Sequence, residues 1–177
     1  VGSSWPKDEI LLVDYINQTS EKVKFIIAPH NIKSEQIQEL KNSISKKVVL
    51  FSEKETKNLA DFDVFIIDTI GILTKIYSYA DIAYVGGGFG NPGVHNILEP
   101  ATFGVPIVIG PNFNHFAEAT ALVNLEGSIS IANKNELSDA FSNLIRNDDI
   151  RHEKGHICST FVQMNKGATA IILKHIS

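Results

Sequence analysis

Cysteine, arginine and long apolar runs are scarce in this sequence, and each scarcity excludes something. The single cysteine, Cys158, excludes an internal disulfide and a cysteine zinc cluster, and it fits a reducing compartment. The only arginines, Arg146 and Arg151, both sit late in the chain. A phosphate held earlier must therefore be met by backbone N–H groups, hydroxyls, histidine or lysine. No run reaches the roughly 18–20 apolar residues that span a bilayer, and no signal-peptide pattern opens the chain. There is no nucleophile elbow, no P-loop lysine and no His/Asp/Glu grouping with metal-ligand spacing. Positive charge is also in deficit: 16 Lys and Arg against 20 Asp and Glu leave a net −4, which argues against a general nucleic-acid surface.

What is present is a core. A chain of 177 residues with 44% hydrophobic content is long enough for one large domain, and no repeat, low-complexity tract or linker divides it. Short, continuous apolar runs alternate with helical patterns. The runs are Val23 to Ala28, Val48 to Phe51, Val64 to Ile67, Ile82 to Val85, Val105 to Ile109 and Ser128 to Ile131. Helices are expected from Pro6 to Ser20, from a cap at Ser34 to Ser43, from Asp68 through Tyr77, Phe116 to Leu125, Lys134 to Arg146 and Ile150 to Lys174. Val1 and Gly2 read as the tail of a strand, followed by a turn at Gly2 to Ser4. Runs that do not alternate are buried on both faces, so the fold class is α/β: a Rossmann-like, doubly wound parallel sheet with helices on both faces. In such folds ligands sit at the carboxyl ends of the strands. The loops at those ends are Gly2–Ser4, Pro29–Asn31, Asp68–Leu73, Gly86–Asn96 and Gly110–His115, and together they should form one rim.

The stretch Gly86 to Pro100, GGGFGNPGVHNILEP, is the centre of that rim. Glycine permits positive φ and close backbone approach, and a following helix offers unpaired N–H groups to an anion. Gly88 to Gly93 formally match G-x-G-x-x-G, but Pro92 interrupts, and no acidic residue ends the next strand as a dinucleotide fingerprint expects. A phosphate-holding loop is the favoured reading over a plain structural turn. Asn96 to Glu99 admits two readings. Asn96 as N-cap with Glu99 reaching back to it is a capping box. Alternatively, Pro100 at the first helical position starts the helix late, and Glu99 is left to grip a ribose diol. His30 and His95 lie on the rim, and His115 follows the strand at Val105 to Ile109. His152, His156 and His175 fall in the terminal helices, where a surface role is the default.

Gly86 to Glu118 (GGGFGNPGVHNILEPATFGVPIVIGPNFNHFAE) resembles the signature region of the 3-deoxy-D-manno-octulosonic acid (Kdo) transferases, B-type glycosyltransferases of lipopolysaccharide synthesis. Gly2 to Pro6, Ile27 to His30 and Asp68 to Leu73 agree in the same order. The resemblance covers essentially the whole chain and implies the C-terminal, CMP-Kdo-binding half of a two-domain enzyme, with residues 1–177 as that domain. The abrupt start at Val1 agrees with a segment of a longer protein.

That resemblance implies roles residue by residue. Pro29 and His30 contact CMP. Gly71, Ile72 and Leu73 meet the phosphate near a helix N-terminus. Asn96, Ile97, Leu98 and Glu99 form the third segment, with Glu99 on the ribose. Ser3, Ser4, Gly87, Gly88 and His95 are further candidates for contact with phosphate or sugar. His30 stands where many relatives carry Arg, which implies weaker or pH-dependent phosphate affinity. Ile72 stands where many carry Glu, which leaves only backbone contact there. The implied reaction is inverting transfer of Kdo to a lipid A precursor without metal or cofactor. Its general base lies in an N-terminal half that also carries the acceptor site and membrane association, at the cytoplasmic face of the bacterial inner membrane. No catalytic residue is assigned here, and alone the domain should bind nucleotide and turn over nothing. The alternatives are the C-terminal half of a sugar-nucleotide epimerase, or a non-catalytic nucleotide-binding α/β domain.

Overall fold

Seven short strands pair in parallel throughout, in the order β3-β4-β2-β1-β5-β6-β7. They are β1 (Gly2–Ser4), β2 (Phe25–Pro29), β3 (Val48–Leu50), β4 (Val64–Ile66), β5 (Ala83–Val85), β6 (Ile107–Ile109) and β7 (Ser128–Ser130). The helices are α1 (Pro6–Gln18), α2 (Ser34–Ser43), α3 (Leu73–Ile76), α4 (Leu98–Thr102), α5 (Ala117–Asn124), α6 (Lys134–Arg146) and α7 (Asp148–Asn165). This computed structural model describes residues 1–167. The expected extension of the last helix to Lys174 falls partly on residues 168–174, which lie outside that range, as does His175; α7 itself ends at Asn165.

Alternate residues of the central strands enter different cores. Ala83, Val85, Ile107 and Ile109 face a layer with Tyr77, Ile97, Ala101 and Leu122, whereas Tyr84 and Val108 face Leu12, Leu137, Phe141 and Leu144 of α1 and α6. A third cluster under β2 and β4 gathers Ile16, Ile27, Ile37, Leu40 and Ile66. Both faces of the sheet are therefore dry, which is why its strands read as unbroken apolar runs. Burial of each such Ile or Leu stabilises the fold by about 1.5–3 kcal/mol.

Helix starts follow local chemistry. Pro6 opens α1 where its missing N–H has no partner to lose. Asn133 caps α6, accepting from the N–H groups of Asn135 and Glu136, while Glu136 accepts from the Ala132 N–H. Two expected starts move. Ser34 is not the cap of α2 but its first residue, with Lys33 at the cap. The helix expected from Asp68 begins only at Leu73 and becomes a 3-10 turn over Tyr77–Tyr79. Gly71 at φ 90° breaks the earlier turns, and Asp68 instead accepts from the N–H and hydroxyl of Ser52, tying the end of β4 to the end of β3. The turn expected at Gly2 to Ser4 is strand β1 itself, with Ser3 at φ 52° where its pairing with β2 slips.

The order places β1 in the middle. From β1 the chain leaves toward β2, and from β5 it leaves the opposite way toward β6. The point where connections diverge lies between the carboxyl ends of β1 and β5, the place where open α/β sheets form a crevice.

Candidate functional site

Four loops meet at that divergence. The Pro29–His30 end of β2 is tied to β1 by a bond from the His30 N–H to the Ser4 carbonyl (2.8 Å). Above it three rings cluster: His30 stacks over both Trp5 and His95, whose own centroids lie 6.1 Å apart with planes 12° from parallel. Trp5 lies 4.5 Å from His30, and His30 lies 4.7 Å from His95, centroid to centroid. The Trp5 indole N–H also donates to Nε2 of His95 at 2.7 Å. Thus the ends of β1, β2 and β5 share one aromatic cluster. The turn before α4 joins through Glu99, whose carboxylate accepts from the Thr74 hydroxyl of α3 and from the Asn96 amide, both at 3.3 Å.

The two readings of Asn96–Glu99 resolve in this geometry. Helix α4 begins at Leu98 with Ile97 at the cap. The Asn96 side chain accepts from the Leu98 N–H at 3.0 Å, and Glu99 bonds no backbone N–H of Asn96. So the capping box does not form, nor does Pro100 sit at the first helical position. Glu99 is half-exposed and Asn96 exposed, leaving a carboxylate held by two long side-chain bonds and open to a competing donor. Its charge, after burial, helps push the Tyr77 hydroxyl well above its ordinary pKa.

The glycines serve the backbone rather than a ligand. The Gly87 N–H donates to Asp8 at 2.9 Å and the residue is buried, so it has no N–H to offer a phosphate. Gly88 is buried against Gly110: a Cβ added there would meet the Gly110 Cα and N at 2.7 Å. Gly86 likewise faces the Ser3 carbonyl. Nor does the loop run into a helix, since α4 starts only at Leu98. The expected contacts from Gly87 and Gly88 are corrected accordingly. Ser4 is corrected too: it is buried, and its hydroxyl donates to Glu9 at 2.9 Å. Ser3, Pro29, Ile72, Leu73 and Leu98 are partly exposed on the rim, and His30 and Gly71 exposed; Ile97 turns its side chain into the core and offers only backbone. His115 is exposed on the loop after β6.

Gly88→Ala should destabilise the domain by about 3 kcal/mol in urea unfolding, because two backbone segments must separate to admit a methyl group. Gly71→Ala, with nothing within 4 Å of the new Cβ, should cost only the strain of its φ, about 1–2 kcal/mol. An equal loss for the two variants would contradict this account of the loop.

Three residues essential to this arrangement were not singled out by their sequence context. Asp8, fully buried, accepts from the Trp5 N–H (2.9 Å), the Gly87 N–H (2.9 Å) and the Tyr84 hydroxyl (2.8 Å). It welds α1 to the glycine loop, whereas its place near a helix start suggests only a dipole effect. Trp5, the sole tryptophan, carries the ring stack. Thr74 reaches Glu99 from the next helix.

Burial, and secondarily the neighbouring His30, hold His95 below the usual imidazole value of 6.5, with Asp8 pulling the other way. The unfolded chain then takes up a proton near pH 6.5 that the native state refuses. His95 therefore contributes stability that is present above that value and is lost as pH falls below it. Glu9 is shifted upward, mainly by burial and against the bond from Ser4, so its effect starts from 4.5 and runs oppositely: stability present at low pH and lost as pH rises. Urea unfolding between pH 7.5 and 5 should show a decline that His95→Phe reduces. An unchanged slope in that variant would show that the decline belongs to other groups.

No family model matches the chain. Among curated proteins it is similar to 3-deoxy-D-manno-octulosonic acid transferases. It is 37% identical over 116 residues to that of Chlamydophila psittaci, covering 63% of this chain and 26% of the relative. It is 32% identical over 141 residues to that of Aquifex aeolicus, covering 77% and 38%. With that of Chlamydia trachomatis serovar D it shares 32% over 164 residues, covering 88% and 37%. The chain thus matches well under half the length of these relatives. Among solved structures, the C-terminal CMP-Kdo binding domain of WaaA from Acinetobacter baumannii superposes with a TM-score of 0.78 at 20% identity, over 92% of this chain and 86% of that one.

Proposed function

This chain belongs to the 3-deoxy-D-manno-octulosonic acid transferase family, and from that premise we propose that it is the donor-binding part of such a glycosyltransferase, seating the CMP of CMP-Kdo on its rim. Glu99 accepts from the ribose hydroxyls. Pro29 and His30 meet the nucleotide from the end of β2, and the backbone of Gly71 to Leu73 approaches the phosphate. Ser3 and His95 complete the wall on the β1 side. The leaving CMP is stabilised by N–H groups and imidazole rather than by a metal. Transfer to a lipid A precursor, the general base and association with the cytoplasmic face of the inner membrane belong to a further part of the full-length enzyme. No helix among the described residues is long and apolar enough to cross a membrane.

The observation that carries this reading is the half-exposed Glu99, held among the described residues by two 3.3 Å side-chain bonds beside the meeting point of four loops. Thermal melting with CMP, UDP and NAD tests it. Saturating CMP should raise Tm selectively, by the linkage of binding to folding, with about 2.7 kcal/mol of added stability at a hundredfold excess over Kd. A UDP-selective rise would favour the epimerase class, and no rise with any nucleotide would remove the reading.

A further inference from the structure

The ring stack contains a hydrogen bond whose direction has only one solution. Indole Nε1–H is a donor and nothing else, so Nε2 of His95, 2.7 Å away, must present its lone pair. The ring proton then resides on Nδ1. Protonating Nε2 as well would set two N–H groups against each other. The Cδ2 edge of His95 is packed toward Gly87, where an added Cβ would come within 3.0 Å of it. With Nε2 accepting from Trp5, Nδ1 is the ring nitrogen that remains to donate. His95 also lines a hollow of about 370 Å³ with Asn96, Leu98, Phe116 and Glu118.

We propose that Trp5 is a positioning residue: by donating to Nε2 it fixes His95 as the neutral Nδ1–H tautomer, which gives His95 a single donor to aim at an anionic oxygen of the bound nucleotide. This rests on the reading that the rim seats CMP. An unconstrained imidazole in water favours the Nε2–H form and would present a lone pair at Nδ1, repelling the same oxygen. The groups facing His95 are compatible with a neutral ring. His30 stacks on it from the end of β2, Asp8 lies beneath from α1 with its oxygens committed to three donors, and Glu118 shares the hollow from the first turn of α5. A neutral donor suits a site that must hold a phosphate without binding it so tightly that the product stays.

The test is ¹⁵N NMR of the histidine side chains together with calorimetric titration of CMP into the 177-residue chain. Wild type should show the Nδ1–H signature at His95. Trp5→Phe keeps an aromatic ring in the stack but has no donor; His95 should revert mainly to Nε2–H, and the Kd for CMP should rise about tenfold. Should Trp5→Phe not fold, two substitutions at His95 decide independently. His95→Asn places an amide N–H near the position of Nδ1 and should bind CMP more tightly than His95→Gln, whose amide reaches the position of Nε2. An unchanged tautomer in Trp5→Phe, a changed tautomer with CMP affinity within about twofold of wild type, or equal binding by the Asn and Gln variants overturns the proposal. Wild type that shows the Nδ1–H signature but binds no CMP removes the nucleotide reading of the rim and the role given to His95 with it. That outcome is distinct from failure of the Trp5 device, in which wild type binds CMP and Trp5→Phe matches it.

Discussion

Replacing Glu99 by alanine should weaken CMP binding by about 1–3 kcal/mol, roughly 5- to 150-fold, while urea unfolding stays near wild type. A carboxylate that accepts two ribose hydroxyls makes charge-assisted bonds, and their loss appears directly in affinity. The fold gives up little in exchange. Glu99 is half-exposed, its two bonds are long, and both their donors are exposed groups that water can satisfy. The first turn of α4 does not depend on it, because the Leu98 N–H is met by Asn96. Calorimetric titration and urea unfolding of the same variant separate the two roles. A variant that unfolds at clearly lower urea yet binds CMP as tightly as wild type would make Glu99 a structural residue and remove its proposed ribose contact.

The second large effect is structural and falls on Asp8. Asp8→Ala should lower the unfolding free energy by about 3–5 kcal/mol, since two buried donors and a partly buried one lose their acceptor at once. At the usual 2–4 °C per kcal/mol for a domain of this size, that is a fall in Tm of roughly 6–20 °C. Tyr84→Phe removes one donor and leaves Asp8 with two backbone N–H groups, so it should cost nearer 1 kcal/mol. Because Asp8 holds Gly87, the glycine loop and His95 should shift as well, and CMP affinity should fall with stability. Stability within about 1 kcal/mol of wild type for Asp8→Ala would mean that water replaces the carboxylate, and the weld between α1 and the glycine loop would not exist.

Much of the sheet was visible in the chain because parallel strands buried on both faces leave an apolar run that needs no partner to be noticed. Val64 to Ile66, Ala83 to Val85 and Ile107 to Ile109 are of this kind. Helix α6 matched its expected ends to the residue because Asn133 and Arg146 mark them locally. Misplacements occurred where one backbone angle decides. Gly71 at φ 90° delayed α3 to Leu73, and Ser3 at φ 52° marks a slip in the pairing of β1 rather than the turn expected there. The site divided the same way. Pro29, His30 and the Asn96–Glu99 turn carried a recognisable order along the chain, while Asp8 looked like an ordinary acid in a first helical turn.

By itself, then, the sequence determined the class of fold, the rim of loops at one end of the strands and the family, all of which follow from patterns within short stretches. How that rim is built emerges from the folded chain alone: Gly87 gives its N–H to Asp8, Ser4 turns inward to Glu9, and Trp5 reaches His95 across 90 positions of sequence. The physical reason is that hydrogen bonds and ring stacks depend on distances of a few ångströms between segments remote in the chain, and strand order, which sets those distances, is fixed by packing on both faces of the sheet at once.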